Sequence, residues 1–310
     1  MRASFIVISW NAVHHLRHCL ASLTAGIPSD DCEIIVVDNA SSDGSREMVT
    51  SEFPSARLIR LDDNYGFAKA SNAGFRQSSG RYCFLVNSDT TVTSPSLKQM
   101  FDYMDEHPEI GLLGPAIIGP DGTKQRSCME FPSLWNTFCR TFALDSLFPG
   151  SKIFGGHLMT YWPHDEIKCV QIINGCFWML RREAIEQVGL LDETFFIYGE
   201  DMDWCKRFHQ DGWKVVYFPF AEVVHYCGAS SANAPVRFFI EKWKANIIYW
   251  NKYHGRFEQI LFLLLTYSHH ALRLFCYTAA LITPRANKHD ILFKIKRSAA
   301  CISALSSPAR

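Results

Sequence analysis

The chain has 310 residues, 48% of them hydrophobic, and its 31 Lys and Arg are balanced by 31 Asp and Glu. That length and apolar content suit one large α/β domain with an appendage, and zero net charge argues against nucleic acid as a partner. Eleven cysteines lie without a CxxC pair or a metal-finger spacing, which favours reduced thiols in a cytoplasmic protein over structural zinc.

The opening MRASFIVISWN has one Arg, and its apolar run stops at Asn11. It reads as a first buried strand, not a secretory signal. Short β-rich runs at 4–9, 33–37, 56–61 and 82–86 then alternate with helical patterns at 13–23, 45–52, 67–77 and 96–106. Such alternation predicts a mostly parallel sheet covered by helices on both faces. Ligands of these sheets sit beyond the C-terminal strand ends, which groups Ser9, Asn11, Asp38, Asn39, Asn64 and Asp89 around one mouth. Pro115, Pro120 and the turn at Asp121-Gly122 break the alternation. Residues 123–168, rich in Pro, Phe and Trp, predict loops and short helices over the cleft. Regular patterns return as a strand at 169–180, helices at 182–188 and 200–210, and a strand at 214–217. The expected division is 1–115, 116–232 and 233–310.

The last part changes character. Residues 236–253 predict an aromatic, basic helix. Residues 258–282 are strongly apolar, yet Thr266, His269, His270, Arg273 and Tyr277 recur every three or four positions and form a polar stripe. A lone spanning helix would bury that stripe in lipid; a helix lying in the interface keeps it wet. Pro284 ends the run, and Arg285, Lys288, Lys294, Lys296 and Arg297 then face only Asp290. A basic tail beside an apolar helix suits an anionic membrane face. A hairpin packed on the domain and a homo-oligomer interface are the other readings of the same pattern.

Four constellations carry chemistry. VVDNASSDGS ends a strand on Asp38-Asn39, where a carboxylate can accept the imide N–H of uracil or thymine; the same residues also serve as turn and cap formers. In DNYGFAKASNAGF, Gly66 frees N–H groups at a helix start that suit a phosphate, and Lys69 and Asn72 add a charge and donors. The Asn87-Ser88-Asp89 triplet follows a buried strand, and Asp89 can hold Mg2+ or Mn2+, hard cations that keep waters and need few protein ligands. His225 ends another apolar strand and is the second candidate ligand. Finally Glu200-Asp201-Met202-Asp203 opens a helix among aromatic residues. Acids there complement the helix dipole, and Asp203 with Arg207 forms an i,i+4 pair. Asp201, then Glu200, is the candidate base for a hydroxyl. No GxGxxG follows the first strand and no GxxxxGK[ST] is present, which disfavours dinucleotide and P-loop folds.

In this order and spacing the motifs, from IVISWN through NSD and GEDMDWCKR to FPFAEVVHYCGASS, resemble the inverting family 2 glycosyltransferases of GT-A fold. More narrowly, the chain resembles bacterial rhamnosyltransferase-type enzymes of surface polysaccharide synthesis. The resemblance covers about residues 5–231. It implies a Rossmann-like, mostly parallel α/β sheet. Ser9 and Asn11 then line the base and ribose pocket, Asp38 reads the pyrimidine with Asn39 beside it in the nucleotide-sugar pocket, and Asn64, Gly66, Lys69 and Asn72 lie near the diphosphate. Asn87, Ser88 and Asp89 form the DxD-like signature, with Asn87 as a departure, and Asp89 and His225 hold a divalent cation. Asp201 takes the acceptor proton in a single inverting displacement. The implied partners are a nucleoside-diphosphate sugar and a glycan or lipid-linked oligosaccharide acceptor, at the cytoplasmic face of the inner membrane. A nucleotidyltransferase and a non-catalytic glycan-binding protein are the rival readings; the former lacks a Gly-rich basic loop near His14, His15 and Arg17.

Overall fold

The computed structural model describes residues 1–27, 31–226, 228, 234–282 and 287–306. In chain order the elements are β1 (Ala3–Ser9), α1 (Val13–Gly26), β2 (Cys32–Asp38), α2 (Ser45–Glu52), β3 (Arg57–Arg60), α3 (Phe67–Gln77), β4 (Tyr82–Asn87), β5 (Thr90–Val92), α4 (Ser94–Glu106), β6 (Ile110–Ile118), β7 (Lys124–Gln125) and β8 (Cys128–Met129). There follow α5 (Leu134–Thr141), α6 (Leu144–Leu147), β9 (Lys168–Cys169), β10 (Ile172–Ile173), β11 (Phe177–Arg181), α7 (Arg182–Val188), α8 (Glu200–Gln210), β12 (Lys214–His225), α9 (Pro235–Tyr253), α10 (Arg256–Ala280) and α11 (Lys288–Ser306).

Two compact units form. The first holds residues 1–131, 163–196 and 200–233, and the second holds 132–162, 197–199 and 234–310. The first is the sheet domain, with strand order β3-β2-β1-β4-β11-β6-β12-β5. β3, β2, β1 and β4 are parallel, as the strand–helix alternation predicts, and β6 runs parallel to β12. β11 enters antiparallel between β4 and β6, so the sheet is mixed. The β1, β2, β4 and β11 side chains are almost wholly buried, because helices cover the central strands.

Two expectations need correction. The stretch 169–180 is not one strand. It breaks at Val170-Gln171 and again at 174–176 into β9, β10 and β11, and β10 pairs with β8 outside the main sheet. β6 runs through Pro115, opposite a register shift in β12 between Phe218 and Glu222. A bulge is where a strand tolerates a missing N–H. That shift also carries β12 past Pro219 to His225, well beyond the expected end at 217. Residues 132–162 hold the short helices α5 and α6, as expected, and pack with the C-terminal helices, chiefly α5 against α10.

In the second unit α10 departs from expectation in part of its polar stripe: Thr266, His269 and His270 are buried, whereas Arg273 of the same stripe is exposed, and Phe257 and Phe275 are each 73% exposed. The reason is local. α9 and α10 pack together, and Trp243 of α9 lies 4.7 Å from the His270 ring and 5.3 Å from the His269 ring, centroid to centroid. Burial, reinforced by the charge of Arg273, pushes His269 down to about 3 and His270 down to about 4. Both rings are therefore neutral at physiological pH.

A depressed histidine stabilises the fold above its unfolded pKa of 6.5 and loses that contribution as pH falls through the folded value. Thermal melts of the full chain should show the melting temperature dropping steadily as pH falls below 6.5. His270→Phe, which keeps an aromatic ring against Trp243, should show a shallower drop; identical pH profiles would remove this histidine from the acid response.

Candidate active site

The mouth of the sheet is fixed by register. Ser9 lies opposite Asp38 across β1–β2, and Ile8 lies opposite Asn87 across β1–β4. The C-terminal ends of three parallel strands thus stop at one level. Asn11, in the left-handed region at φ 47°, stitches two turns together. Its N–H donates to Ser41 Oγ at 3.0 Å, and its Oδ1 accepts from the Ser42 N–H at 2.8 Å.

Asp38 is buried at the centre of this edge. One carboxylate oxygen accepts from Arg46 Nε and from the Ser41 N–H at 3.1 Å. The other, Oδ1, is buried without a hydrogen-bond partner, and so is Ser9 Oγ beside it in register. A buried acceptor left unmatched is costly. An imide N–H would match it.

The next loop is self-contained. Asn39 Nδ2 donates to Asn64 Oδ1 at 3.0 Å and to the Gly66 carbonyl at 3.2 Å, and its Oδ1 accepts from the Tyr65 N–H at 3.0 Å. Asn64 Oδ1 also accepts from the Gly66 N–H at 3.0 Å. Gly66 sits at φ 84°, and a Cβ there would stand 2.2 Å from the Phe196 carbonyl oxygen, so only glycine fits. That same carbonyl takes the Phe67 N–H at 2.6 Å.

The expected phosphate cradle at α3 is therefore corrected. The Gly66 and Phe67 N–H groups are committed to the protein. Asn72 is buried in α3 and braces a distant loop: Nδ2 donates to the Leu191 carbonyl and to Glu193 Oε1, both at 2.9 Å, and Oδ1 accepts from the Leu191 N–H at 3.1 Å. Lys69 is exposed, with its ammonium 3.8 Å from the centre of the Tyr65 ring. It is the one member of that group that keeps a charge at the surface.

Asp89 and His225 do meet. β5 pairs with β12 so that His225 lies opposite Thr90, and Asp89 Oδ1 is 3.3 Å from His225 Nε2. Gln125 sets the ring. Its Nε2 donates to the His225 carbonyl at 2.8 Å, which leaves its Oε1 to accept from His225 Nδ1 at 3.2 Å. In the neutral ring, Nε2 then turns a lone pair toward the Asp89 carboxylate. Two acceptors facing one side of the site suit a cation beside them. Among the described residues no group of three or more His, Cys, Asp or Glu side chains forms a metal cluster. A cation held here would rely on these two side chains, on water and on phosphate oxygens, as Mg2+ and Mn2+ sites do. Ser88 donates its N–H to the Ile8 carbonyl, and Asn87 donates its N–H to the Cys176 carbonyl at 2.9 Å.

That last bond, with Gly175, brings in the acids of α8. A Cβ on Gly175 would lie 3.9 Å from the Asp201 Cβ. Glu200, Asp201 and Asp203 all lie in the first turn and are all buried. Asp203 pairs with Arg207 at 2.9 Å, as the i,i+4 spacing predicts, and Arg207 also donates to the Val188 and Leu190 carbonyls. That acid is structural. Burial, with the Asp201 charge adding, pushes the Glu200 carboxyl well above its usual 4.5, and its Oε2 has no hydrogen-bond partner. Asp201, next in the chain, has its Oδ1 accepting from the Met202 N–H at 2.8 Å.

A sheet of this order with acids at one mouth defines a GT-A glycosyltransferase. A mannosyltransferase from Pyrobaculum calidifontis, solved with GDP-Man and Mn2+, shares the fold at a TM-score of 0.55 and 17% identity, covering 98% of this chain and 86% of that one. GalNAc-T7, solved with UDP, GalNAc and Mn2+, shares it at 0.54 and 15% identity, covering 72% of this chain and 43% of that one. The family model for glycosyl transferase family 2 matches residues 4–189, and the chain belongs to that family. Among curated relatives, the N-acetylglucosaminyl-diphospho-decaprenol L-rhamnosyltransferase of Mycobacterium tuberculosis is 26% identical over 269 residues, 79% of this chain and 82% of its own. The O-antigen biosynthesis protein RfbC of Myxococcus xanthus is 24% identical over 69% of this chain but only 16% of its own greater length. The protein is thus a glycosyltransferase that uses a nucleotide sugar, and the nucleotidyltransferase alternative falls away.

Two outcomes follow from this geometry. Asn72→Ala leaves the Leu191 N–H and carbonyl unmatched and should lower unfolding free energy by about 1–3 kcal/mol with donor KM unchanged; a raised donor KM without loss of stability would return Asn72 to the binding site. A carboxyl with a raised pKa stabilises the fold below its unfolded value of 4.5 and loses that contribution as pH rises through the folded value. Glu200→Gln should therefore gain on wild type in melting temperature as pH climbs above 4.5, and parallel curves would show that Glu200 ionises freely.

Proposed function

We propose that this enzyme inverts configuration while moving L-rhamnose from dTDP-rhamnose to a lipid-diphosphate-linked glycan in surface polysaccharide synthesis. The observation that carries the donor half is the unmatched buried oxygen of Asp38, in register with Ser9 at the sheet mouth. It suits the imide N–H that thymine and uracil share. The sugar and the acceptor rest on the mycobacterial relative, whose name specifies L-rhamnose and a diphospho-decaprenol carrier. UDP-galactofuranose, UDP-glucose and UDP-galactose are the competing donors.

In the proposed reaction the acceptor hydroxyl attacks the anomeric carbon as Asp201 takes its proton, and the bond to the nucleoside diphosphate breaks. Protonated Glu200 keeps a second negative charge away from that base. Asp38, with Ser9 and Asn11, orients the nucleoside, and Lys69 offers the donor phosphates a surface charge. Asp89 and His225 would hold a divalent cation, whose chemistry is to neutralise charge on the departing diphosphate. The exposed apolar face of α10 makes a peripheral contact with the cytoplasmic face of the inner membrane.

The test is a donor panel following released nucleoside diphosphate, with and without acceptor. Release from dTDP-rhamnose alone, reduced roughly 10²–10⁴-fold in Asp201→Asn, is expected. Release from a UDP-sugar instead would replace the donor, and an unaffected Asp201→Asn would remove the base. Calorimetry of Mn2+ with dTDP present should show binding to wild type that Asp89→Ala abolishes; equal binding would place the cation elsewhere.

A further inference from the structure

α5 and α10 enclose a groove of about 400 Å³ in the second unit, lined by Leu134, Trp135, Phe138, Leu261, Leu264, Leu265 and Ser268. Six of these are apolar, so an occupant gains nothing there from polar groups and everything from hydrocarbon. The floor is built: Trp135 and Phe138 stack with ring centres 5.7 Å apart, and Trp135 Nε1 is tied to the Ile153 carbonyl at 2.9 Å. The wall Leu264 is 58% exposed.

Charge lies beyond the groove on both helices. Thr141 Oγ1 approaches the Leu265 carbonyl at 3.4 Å, and the Arg140 carbonyl meets His269 one turn further along α10. Arg140 is therefore next to the Arg273 side of α10. Burial pulls its guanidinium below its usual range; the Asp145 carboxylate opposes this, and the Arg273 charge adds a smaller push downward. The neighbouring His269 and His270 are neutral and add no charge of their own. Two guanidinium groups within electrostatic reach, one of them also facing Asp145, beside a groove apolar but for Ser268, complement a ligand with an anionic head and a long apolar tail.

We propose that this groove seats the isoprenoid chain of the lipid-diphosphate acceptor, with Arg140 and Arg273 facing its diphosphate. The inference rests on the lipid-linked acceptor proposed above. It assigns that acceptor a dedicated chain subsite, separate from general contact with a bilayer.

The test uses the full chain in detergent micelles with two probes: N-acetylglucosaminyl diphosphate on a decaprenyl chain and the same head on a short geranyl chain. Ser268→Trp fills the groove and Leu264→Glu puts a charge in its wall. Both should lower the long-chain to short-chain ratio of kcat/KM by roughly tenfold, with acceptor-free donor hydrolysis reporting that the site is folded. Phe275→Ser, on the exposed α10 surface outside the groove, should leave the ratio as in wild type. A benzophenone-ended geranyl diphosphate should photolabel peptides containing Leu134–Phe138 and Leu261–Ser268 in wild type and not in Ser268→Trp. An unchanged ratio in the groove variants, or an equal fall in Phe275→Ser, would overturn the subsite. Labelling in the groove with transfer to neither lipid probe would keep the lipid site and overturn the acceptor reading; no labelling and no transfer would overturn both.

Discussion

Parallel pairing of β1 with both β2 and β4 is the constraint on which the rest of the site depends. A parallel ladder ties strand ends together, so Ser9, Asp38 and Asn87 reach the same level without any side chain arranging it. β11 then enters antiparallel beside β4 and begins where β4 ends. That reversal brings Gly175 and Cys176 to the mouth, and through the small Gly175 it brings Asp201. Asp201, the proposed base, and Asp38, the proposed nucleoside contact, thus come from two halves of the chain brought to one mouth by backbone pairing. Side chains such as Asn11, Asn39 and Gln125 only refine it.

The acids show how burial assigns roles to similar groups. Asp203 is fully buried yet ion-paired, and is structural. Asp38 is buried with one oxygen satisfied by Arg46 and one open. Glu200 is buried without a cation, and burial with the neighbouring Asp201 charge pushes its carboxyl well above the usual range. Asp201, buried one residue further on, instead reaches the mouth beside Gly175.

The parts of the fold that were legible in sequence are those decided locally. The helices at 45–52, 67–77, 182–188 and 200–210 have the bounds expected of them, because caps, Gly and periodicity act within a few residues. The Asp203–Arg207 pair was legible for the same reason. Illegible features depend on distant partners. Asn72 has the composition of a phosphate ligand, and only Leu191, 119 positions away, shows that its donors are taken. Gln125 carries no local signal, because its task is defined by His225, 100 positions away. The passage of β6 through Pro115 carries no local signal either, because the bulge that accommodates it belongs to β12.

α10 is the sharpest case. Its periodicity was read correctly, but periodicity gives two faces and not which one is inside. With water as the only solvent, the apolar face should turn inward. The aromatic residues Phe239 and Trp243 of α9 instead accept His270 as a ring among rings, and the apolar face turns out. In water this arrangement is unfavourable twice: two imidazoles are desolvated, and phenylalanines and leucines stay wet. Covering the outer face with hydrocarbon would remove the second cost and leave the first unchanged. The charges beside it argue less strongly, because Asp145 already offsets at Arg140 more than the Arg273 charge adds. The wet Phe257, Ile260, Leu264, Leu272 and Phe275 are therefore the part of this helix whose energetics an apolar ligand would improve.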